Sequence, residues 1–556
     1  MKKIFISFLA VALVAPLFTS CIEEYDPKNG SLTEEQAKNS PGYFDSAAEA
    51  ITANLIGQFS YIGYDDNNPW DIGYPTFFLA RDVMGQDMVT PGKNNWWIWW
   101  YSCDAGLGPN FAVCQIPWTN YYSWIDACNK LLTIYKSDPK EDYNTGAGIA
   151  YTMRAMFYQD IVRMYAAKPY ALNPEAETVP MVTEDTEISD SNPRISFKGA
   201  YEQIIEDLNK AEELLEGFQR PNFTVPDVSV VYGLKARAYL EIQDWANAEK
   251  YAKMAQEGYE MMSEEEYLSR DNGFNTPTSS WMFGMQYHLT DPNIRDNDGD
   301  SSWGSWMILE NGFECGYAAN YGGPLAIDRH LYETIPASDF RKKMFVDFAI
   351  DEMESGDAVE ALKAYSDHPE QILASADADD YGPGGFELKF RPAAGKYAVK
   401  YEAWVVAVPL MRVEEMKLIE AEAAGMQNEA RGIQLLTAFA QTRDPQYYYG
   451  SHQDAYGNGT TSKFQNEVWW QRRVELWGEG FATFDMKRLN KAIIRNYEGS
   501  NHVEGYRWNF ANQGGDRKYP DWMNFCIVQT ETNYNKGCTN NATPVAPTGD
   551  SELFVW

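Results

Sequence analysis

Helical periodicity is the feature that most constrains how this chain folds. Through much of the sequence, apolar residues recur at intervals of about 3.6 residues, as they do along the buried face of a helix. The pattern is clearest in 229–261, where Tyr232, Ala236 and Tyr239 share one face of a first helix and alanines line a second. Small residues at this spacing let antiparallel helices pack closely. The sequence therefore predicts a mostly all-α scaffold of helix pairs, over about 43–61, 117–261 and 409–490.

Long irregular stretches separate the helical segments. They are rich in Gly, Pro, Asn, Asp, Trp and Tyr and show little periodicity, and they cover about 62–116, 262–408 and 491–556. Loops of this length in a compact protein are commonly functional. No Pro- or Ser-rich linker divides the chain, so 21–556 is predicted to be a single domain whose loops carry the ligand-binding residues.

The N-terminus has the form of a secretory signal peptide, predicted over 1–20. Two lysines precede the uncharged apolar run Ile4–Phe18, and small residues lead to Cys21. The run is too short to cross a bilayer of about 30 Å as a helix. The position of Cys21 resembles a bacterial lipobox, with Phe18 where Leu is usual, and predicts lipidation of that cysteine. The alternative is an ordinary secreted protein with a chance cysteine near its cleavage site.

Charge and composition limit the kinds of partner. The chain has a formal net charge of −34, which disfavours binding to the phosphate backbone of nucleic acids. Aromatic residues make up 15 % of the chain, with 18 Trp and 36 Tyr, and flat aromatic faces stack well on sugar rings. Large helical cores also use many aromatic residues, so composition alone favours carbohydrate only slightly.

The cysteines and acidic residues indicate no metal site or cofactor. Apart from Cys21 there are six cysteines, none in CxxC spacing, so a structural zinc site is not expected. The predicted local disulfides are Cys103–Cys114 and Cys526–Cys538, although six cysteines allow 15 connectivities. The run 296–300 resembles part of a calcium loop but fails the EF-hand template, so a solvated turn is the expectation.

The strongest candidate for ligand binding is an early aromatic cluster. It consists of two amides followed by six large apolar side chains: Asn94, Asn95, Trp96, Trp97, Ile98, Trp99, Trp100 and Tyr101. In an extended conformation Trp97, Trp99 and Tyr101 would share one face, because alternate side chains of a strand point to opposite sides. One face would enter the core, and the other would present indoles and amides to a sugar. The alternative is that all four tryptophans pack between helices.

A second cluster lies in the middle of the chain. Its candidate ligand-binding residues are aromatic: Trp303, Trp306, Tyr317 and Tyr321. Asn311 and Asn320 lie among them and carry amides suited to sugar hydroxyls. The hypothesis is that both clusters line one surface. The competing interpretation is that Trp303 and Trp306, three residues apart, form one apolar helical turn.

The C-terminal half carries the motifs of a known family. Residues 469–480 read WWQRRVELWGEG, and Phe484, Asp485 and Arg488 follow, which resembles the signature of SusD/RagB-like proteins, surface lipoproteins of Bacteroidetes. Further landmarks agree in order: the acidic Glu23, Glu24 and Asp26 after Cys21, Leu331-Tyr332, Asp339-Phe340-Arg341, Lys396-Tyr397 and Arg412-Val413-Glu414-Glu415. Glu414 stands where the family usually has Ala. The charged residues of the signature fall at helical spacings that allow ion pairs, and in the family they are structural.

The resemblance implies a fold, a function and a partner. The family fold is a bundle of tetratricopeptide-like helix pairs with an irregular ligand-binding subdomain made of loops, including loops from the early and middle regions. Family members bind glycans, or peptides in some branches, at the cell surface. They are lipid-anchored to the outer membrane, cover a SusC-like TonB-dependent transporter, and catalyse no reaction.

Two other classes of function stay open at this point. A helical-toroid glycoside hydrolase or lyase would also be exported, acidic and rich in tryptophan. A peptide-binding or purely structural surface adaptor would need no sugar at all. The motifs HExxH, GxSxG and GxxxxGK are absent from the sequence, which favours a binding protein over an enzyme.

Overall fold

The computed structural model describes most of the chain. The described residues are 42–56, 70, 72–90, 96–103, 105–187, 189–295, 302–312, 316–320, 323–377, 382–452, 461–509 and 517–556. The signal peptide, Cys21 and the run 296–300 lie outside them. The chain divides into a unit of residues 1–44, of which only 42–44 are described, and a unit of residues 45–556.

The fold is mostly helical, as predicted. The helices of seven or more residues are α1 (Tyr43–Ala53), α2 (Thr76–Met84), α3 (Ala112–Ser137), α4 (Asn144–Tyr165), α5 (Phe197–Leu214), α6 (Val228–Glu241), α7 (Trp245–Ala255), α8 (Ser355–Leu362), α9 (Pro369–Asp377), α10 (Val413–Gln427), α11 (Glu429–Ala440), α12 (Lys463–Glu475) and α13 (Ala482–Arg488). None of the helices within the described residues combines the length and the apolar character that a membrane-spanning helix needs.

The hairpin predicted for 229–261 is confirmed as α6 and α7. Each helix begins at an aspartate that accepts hydrogen bonds from free backbone N–H groups: Asp227 from Ser229 (3.0 Å) and Asp244 from Asn247 (3.2 Å). Ala248, Ala252 and Ala255 of α7 are buried, and the rings of Tyr239 and Tyr251 stack with centroids 5.6 Å apart. Helix α10 packs against the other side of α7, so the pair continues into a larger helical array.

The strands within the described residues are short. They form three two-stranded antiparallel sheets: β1 (Met88–Val89) with β5 (Ala326–Ile327), β2 (Glu177–Pro180) with β3 (Arg194–Ser196), and β4 (Trp281–Gln286) with β6 (Ala407–Arg412). Strand β6 runs directly into α10 and ties the middle loop region to the helical scaffold.

The helical region predicted over 409–490 contains two long helical patterns, 409–440 and 464–490, and both are interrupted in the structure. The pattern over 409–440 begins as β6 and breaks at Asn428, whose side chain accepts a hydrogen bond from the Arg431 N–H and so starts α11. The pattern over 464–490 breaks between α12 and α13, where Gly478 and Gly480 have φ angles of 76° and 82°. A Cβ on Gly480 would lie 2.7 Å from the Phe78 ring, so only glycine fits this close approach.

The charged residues of the C-terminal signature lie in the core. The Glu475 carboxylate accepts from three buried guanidinium groups, those of Arg341 (3.1 Å), Arg412 (3.2 Å) and Arg443 (3.1 Å). Burial alone would raise the pKa of Glu475, but the three arginines hold it well below its usual range. In the same way, Arg472 and Arg488 both pair with Asp485. The signature thus crosslinks α12, α13 and the segments around them.

The predicted disulfides do not form. Cys103, Cys114, Cys526 and Cys538 form no disulfide, and all four are buried. The Cys114 thiol donates to the backbone carbonyl of Cys526 (2.9 Å), while that of Cys103 donates to the carbonyl of Trp100 (3.0 Å). Nearness in sequence therefore suggested the wrong partners, because these thiols bond backbone oxygens, in another segment for Cys114 and in its own turn for Cys103.

Candidate ligand-binding surface

The early aromatic cluster is helical, so the predicted extended conformation is wrong. Trp97 has helical φ and ψ, and one helical turn spans Ile98–Tyr101. The N–H groups of Trp100 and Tyr101 both donate to the Trp97 carbonyl, at 3.0 and 2.9 Å. Helical geometry satisfies these backbone groups locally, whereas a strand at this place would need a neighbouring strand.

The helical turn changes which tryptophans face solvent. Residues three apart lie on the same side of a helix. Trp96 and Trp99 are accordingly exposed, at 41 % and 44 % of their surface, while Trp97, Trp100 and Tyr101 are completely buried. The prediction that Trp97, Trp99 and Tyr101 share a face is therefore wrong. Trp99 alone of these three is at the surface, and its exposed neighbour is Trp96.

Buried indoles support the exposed ones from below. Trp70, which lies next to the turn, contacts Trp96 (ring centroids 5.7 Å apart) and Trp100 (6.1 Å). Trp97 and Trp100 pack against each other at 5.3 Å. Trp96 thus stands on a layer of aromatic side chains, which restricts its motion, and Trp99 follows on the turn whose Trp97 and Trp100 belong to that layer.

The middle cluster is mainly core. Trp303 and Trp306 lie in one helical turn, Trp303–Met307, which the Ser302 side chain caps by accepting from the Ser305 N–H (3.1 Å). Both indoles are buried, so the competing interpretation of an apolar helical turn is the correct one. Trp303 packs edge-on against Phe390, with ring centroids 5.3 Å apart.

The two clusters nevertheless meet. Trp306 stacks on Tyr317 with centroids 4.1 Å apart and nearly parallel rings, and its edge contacts Trp97 at 5.4 Å. Tyr317 in turn lies 6.5 Å from Trp96. Asn94, Asn95 and Tyr321 lie outside the described residues. We call Trp96, Trp99 and the adjoining Tyr317 the aromatic patch.

A buried hydrogen bond holds the inner side of the turn. The Tyr101 hydroxyl lies 2.7 Å from Nδ1 of His502, and the two rings stack. Burial raises the pKa of Tyr101 to about 12. Burial also lowers the pKa of His502, against the opposing effect of Asp328. The pair is therefore an un-ionised tyrosine and a neutral imidazole at physiological pH. Sequence reasoning missed His502, which no motif marks.

The surface holds another concavity, of a different character. A groove of about 550 Å³ lies between the C-terminal half of α1, the loop 221–225 and the segment 284–293. Its lining combines apolar side chains such as Met285 with Glu49, Gln286 and His288, and the described residues that line it include no Trp, Tyr or Phe. The aromatic patch, unlike this groove, offers indole faces to a ligand, which makes it the better candidate for sugar.

The fold and the aromatic patch together define a class of protein. Its members have a mostly helical scaffold of packed helix pairs, with exposed tryptophans in the irregular regions between them. Two family models match this chain. Residues 72–240 match a SusD-like model described as "Starch-binding associating with outer membrane", and residues 388–544 match the model of the SusD family. Together they cover more than half of the chain and include both the aromatic turn and the signature helix α12. The chain is a SusD/RagB-like protein.

Solved structures share the whole fold at low sequence identity. A SusD-like carbohydrate binding protein from Bacteroides vulgatus is 21 % identical, with a TM-score of 0.67, over 89 % of this chain and 97 % of that one. A putative sugar binding protein from the same species is 20 % identical (TM-score 0.67; 91 % and 98 %). Surface glycan-binding protein A from Bacteroides uniformis is 15 % identical (TM-score 0.60; 90 % and 99 %). No curated protein matches this sequence.

Proposed function

We propose that this protein is a cell-surface glycan-binding lipoprotein. It captures oligo- or polysaccharide at the aromatic patch and passes it to a SusC-like TonB-dependent transporter. The observation that carries the proposal is the exposure of Trp96 and Trp99, three residues apart at one helical turn, with Trp96 packed on a buried indole. Large apolar side chains are normally buried, and adjacent exposed indoles on a supported turn are typical of a binding surface.

Stacking on a sugar ring would use this geometry well. Covering an exposed indole face with a ligand would stabilise the complex by roughly 25 cal/mol for each Å² of apolar surface removed from water. The C–H face of a pyranose is flat and apolar, while its hydroxyls need hydrogen-bonding groups near the platform. Asn94 and Asn95, which precede Trp96 in the sequence, remain the candidates for that role. The descriptions of the matching family model and of the similar structures point to the same class of ligand.

We propose that a lipid on Cys21 anchors the protein to the outer membrane. The sequence before Cys21 supports this anchor, and two or more acyl chains hold a protein on a membrane stably. The family model that matches residues 72–240 is described as associating with the outer membrane. We assign no catalytic step, because binding by the aromatic patch requires none.

Affinity electrophoresis of the mature protein without its lipid tests the proposed ligand class. The gels would contain starch, fructan, a plant hemicellulose or a host glycan, and Trp96→Ala and Trp99→Ala would run beside wild type. Tyr534→Ala is the matched control, since Tyr534 is 79 % exposed and lies far along the chain from the patch. We expect one glycan to retard wild type and the control but not the tryptophan variants, with no product released.

The remaining outcomes distinguish the alternatives. Release of shorter oligosaccharides during the assay would identify a hydrolase or lyase. Retardation by no glycan would contradict sugar binding and favour a peptide ligand or an adaptor role. Co-purification of a TonB-dependent transporter from solubilised outer membranes tests the proposed partner separately.

A further inference from the structure

A single buried arginine joins the aromatic turn to the scaffold. Arg495 is completely buried, and its Nη1 donates to the Tyr101 carbonyl at the end of the turn (2.7 Å). Its Nε and Nη2 donate to the carbonyl of Gly85, at 3.1 and 2.7 Å, and Nη2 also lies within hydrogen-bond distance of the last carbonyls of α2. The same guanidinium lies over the ring of Tyr101 (4.2 Å). One side chain thus satisfies the free C-terminal carbonyls of two helical segments.

His502 holds the other end of the Tyr101 side chain. Its Nε2 faces two acceptors, the Gln86 carbonyl (3.1 Å) and the Asp328 carboxylate (3.3 Å), so the proton of the neutral ring belongs on Nε2. Nδ1 is then an acceptor and receives the Tyr101 O–H. Asp328 is fixed in turn by the N–H of Leu331 (2.9 Å) and by the Tyr497 hydroxyl.

The turn needs this support because it is too short to be stable alone. An isolated helical turn is strongly disfavoured, and Ile98–Tyr101 has no side-chain cap at its N-terminus. Burial of Trp97 and Trp100 holds it by non-directional contacts, whereas Arg495 and His502 supply directional ones. A binding surface requires its side chains to be held within about 0.5 Å by such neighbouring groups.

We propose that Arg495 and His502 are positioning residues that set the orientation of Trp96 and Trp99 for ligand. The expected effect of these two residues on ligand affinity rests on the proposed function. Their effect on the conformation of the turn can be measured without ligand. A segment about 400 residues away in the chain thereby controls the geometry of the patch.

The test is hydrogen–deuterium exchange of the lipid-free full-length mature protein carrying Arg495→Lys. Lysine keeps the charge but cannot donate to Tyr101 and α2 together. We expect at least tenfold faster exchange at the amides of Trp100, Tyr101 and Ser102. Arg194→Lys is the matched control, because Arg194 is also buried and donates to the carbonyls of Thr178 (2.7 Å) and Glu177 (3.0 Å) elsewhere. Its exchange at 100–102 should equal that of wild type.

If Arg495→Lys does not fold, a second pair of variants with smaller changes tests the same inference. Tyr101→Phe removes only the hydroxyl that bonds His502, and Tyr122→Phe removes a buried hydroxyl that bonds the Pro180 carbonyl (2.6 Å). We expect faster exchange at the turn, and at least tenfold weaker binding of the glycan that retards wild type, for Tyr101→Phe only. Unchanged exchange at 100–102 in a folded Tyr101→Phe or Arg495→Lys protein would overturn the inference. If exchange is faster in the variants but wild type binds no glycan, the proposed function is contradicted and the positioning role of Arg495 and His502 is not.

Discussion

At the scale of single residues, one position along the chain separates an exposed tryptophan from a buried one. Trp96 and Trp99 are exposed, while Trp97 and Trp100 between and beyond them are buried. The sequence identified the cluster but not its exposed members. A run of large apolar residues has no internal pattern that distinguishes a helix from a strand, and the two geometries expose different side chains.

Glu387 provides a test of buried charge at this scale. Burial raises the pKa of its carboxyl to about 8, although the N–H groups of Lys389 and Phe390 and nearby cations act in the opposite direction. An unfolded chain ionises this group near pH 4.3. Its contribution to stability is therefore fully present at low pH and is lost as the pH rises through about 8.

Glu387→Gln should remove that pH dependence. The variant is expected to resemble wild type at pH 4.5 and to gain stability relative to it as the pH rises to 9. Each unit of pKa shift corresponds to about 1.4 kcal/mol. Urea unfolding of both proteins at pH 4.5, 7 and 9 measures the difference. A difference in unfolding free energy that is constant over this range would contradict the assignment.

At the scale of elements, the helix pairs of the central region could be predicted from the sequence. Helices α4, α5, α6 and α7 lie where the periodicity placed them. Helix α2 was missed because it is only nine residues long and lies in a stretch rich in Gly, Pro and Asn; all nine of its residues are buried, including Arg81 and Asp82. The breaks at Asn428 and Gly478 were missed because their neighbours keep the helical period.

The contact between α10, α11 and α12 predicts an unusual effect of a glycine substitution. A Cβ on Gly432 would lie 2.2 Å from Cα of Gly425 and 2.6 Å from the Phe464 ring. Gly432→Ala should therefore lower the unfolding free energy by about 1–3 kcal/mol, as overpacking does. Gly356→Ala in α8 is the control, since a Cβ there meets nothing within 4 Å, and it should leave stability unchanged or raise it. Thermal unfolding of both variants measures the difference. Equal melting temperatures would contradict the close packing of Gly432 against Gly425 and Phe464.

The buried ion-pair network of the signature helix α12 predicts that removing the charge of Glu475 lowers the unfolding free energy strongly. Glu475→Gln leaves three buried guanidinium groups with less negative charge, and breaking a buried ion pair typically costs about 3–5 kcal/mol. Glu264→Gln removes a carboxylate from an exposed pair with Lys343 and should change stability by less than about 0.5 kcal/mol. Chemical denaturation at pH 7 compares the two variants. Similar small losses for both would show that the core network does not depend on Glu475.

At the scale of the whole molecule, the described fold is held without disulfides. The five described cysteines form no disulfide and are buried. Burial raises the pKa of Cys128 to about 12 and those of Cys526 and Cys538 to about 11, which keeps these thiols protonated. We expect these five thiols to resist alkylation in the folded protein and to react fully in urea. Mass spectrometry of alkylated peptides checks this. A Cys103–Cys114 or Cys526–Cys538 crosslink in unreduced protein would contradict it.

The architecture was easier to predict than the binding surface. Family motifs lie in the buried network around Glu475, which holds the helical scaffold together. The proposed ligand contacts lie in irregular regions that distant residues such as Arg495 and His502 hold by hydrogen bonds. No local sequence pattern links these segments, so the sequence could name the aromatic clusters but could not orient them.

The central claim is that Trp96 and Trp99 bind the glycan. Calorimetric titration with the glycan that retards wild type tests it most directly, using Trp96→Ala, Trp99→Ala and the exposed control Tyr534→Ala. We predict at least a tenfold weaker affinity, about 1.4 kcal/mol, for each tryptophan variant and wild-type affinity for the control. Wild-type affinity in both folded tryptophan variants would contradict the claim and place the ligand elsewhere on the protein.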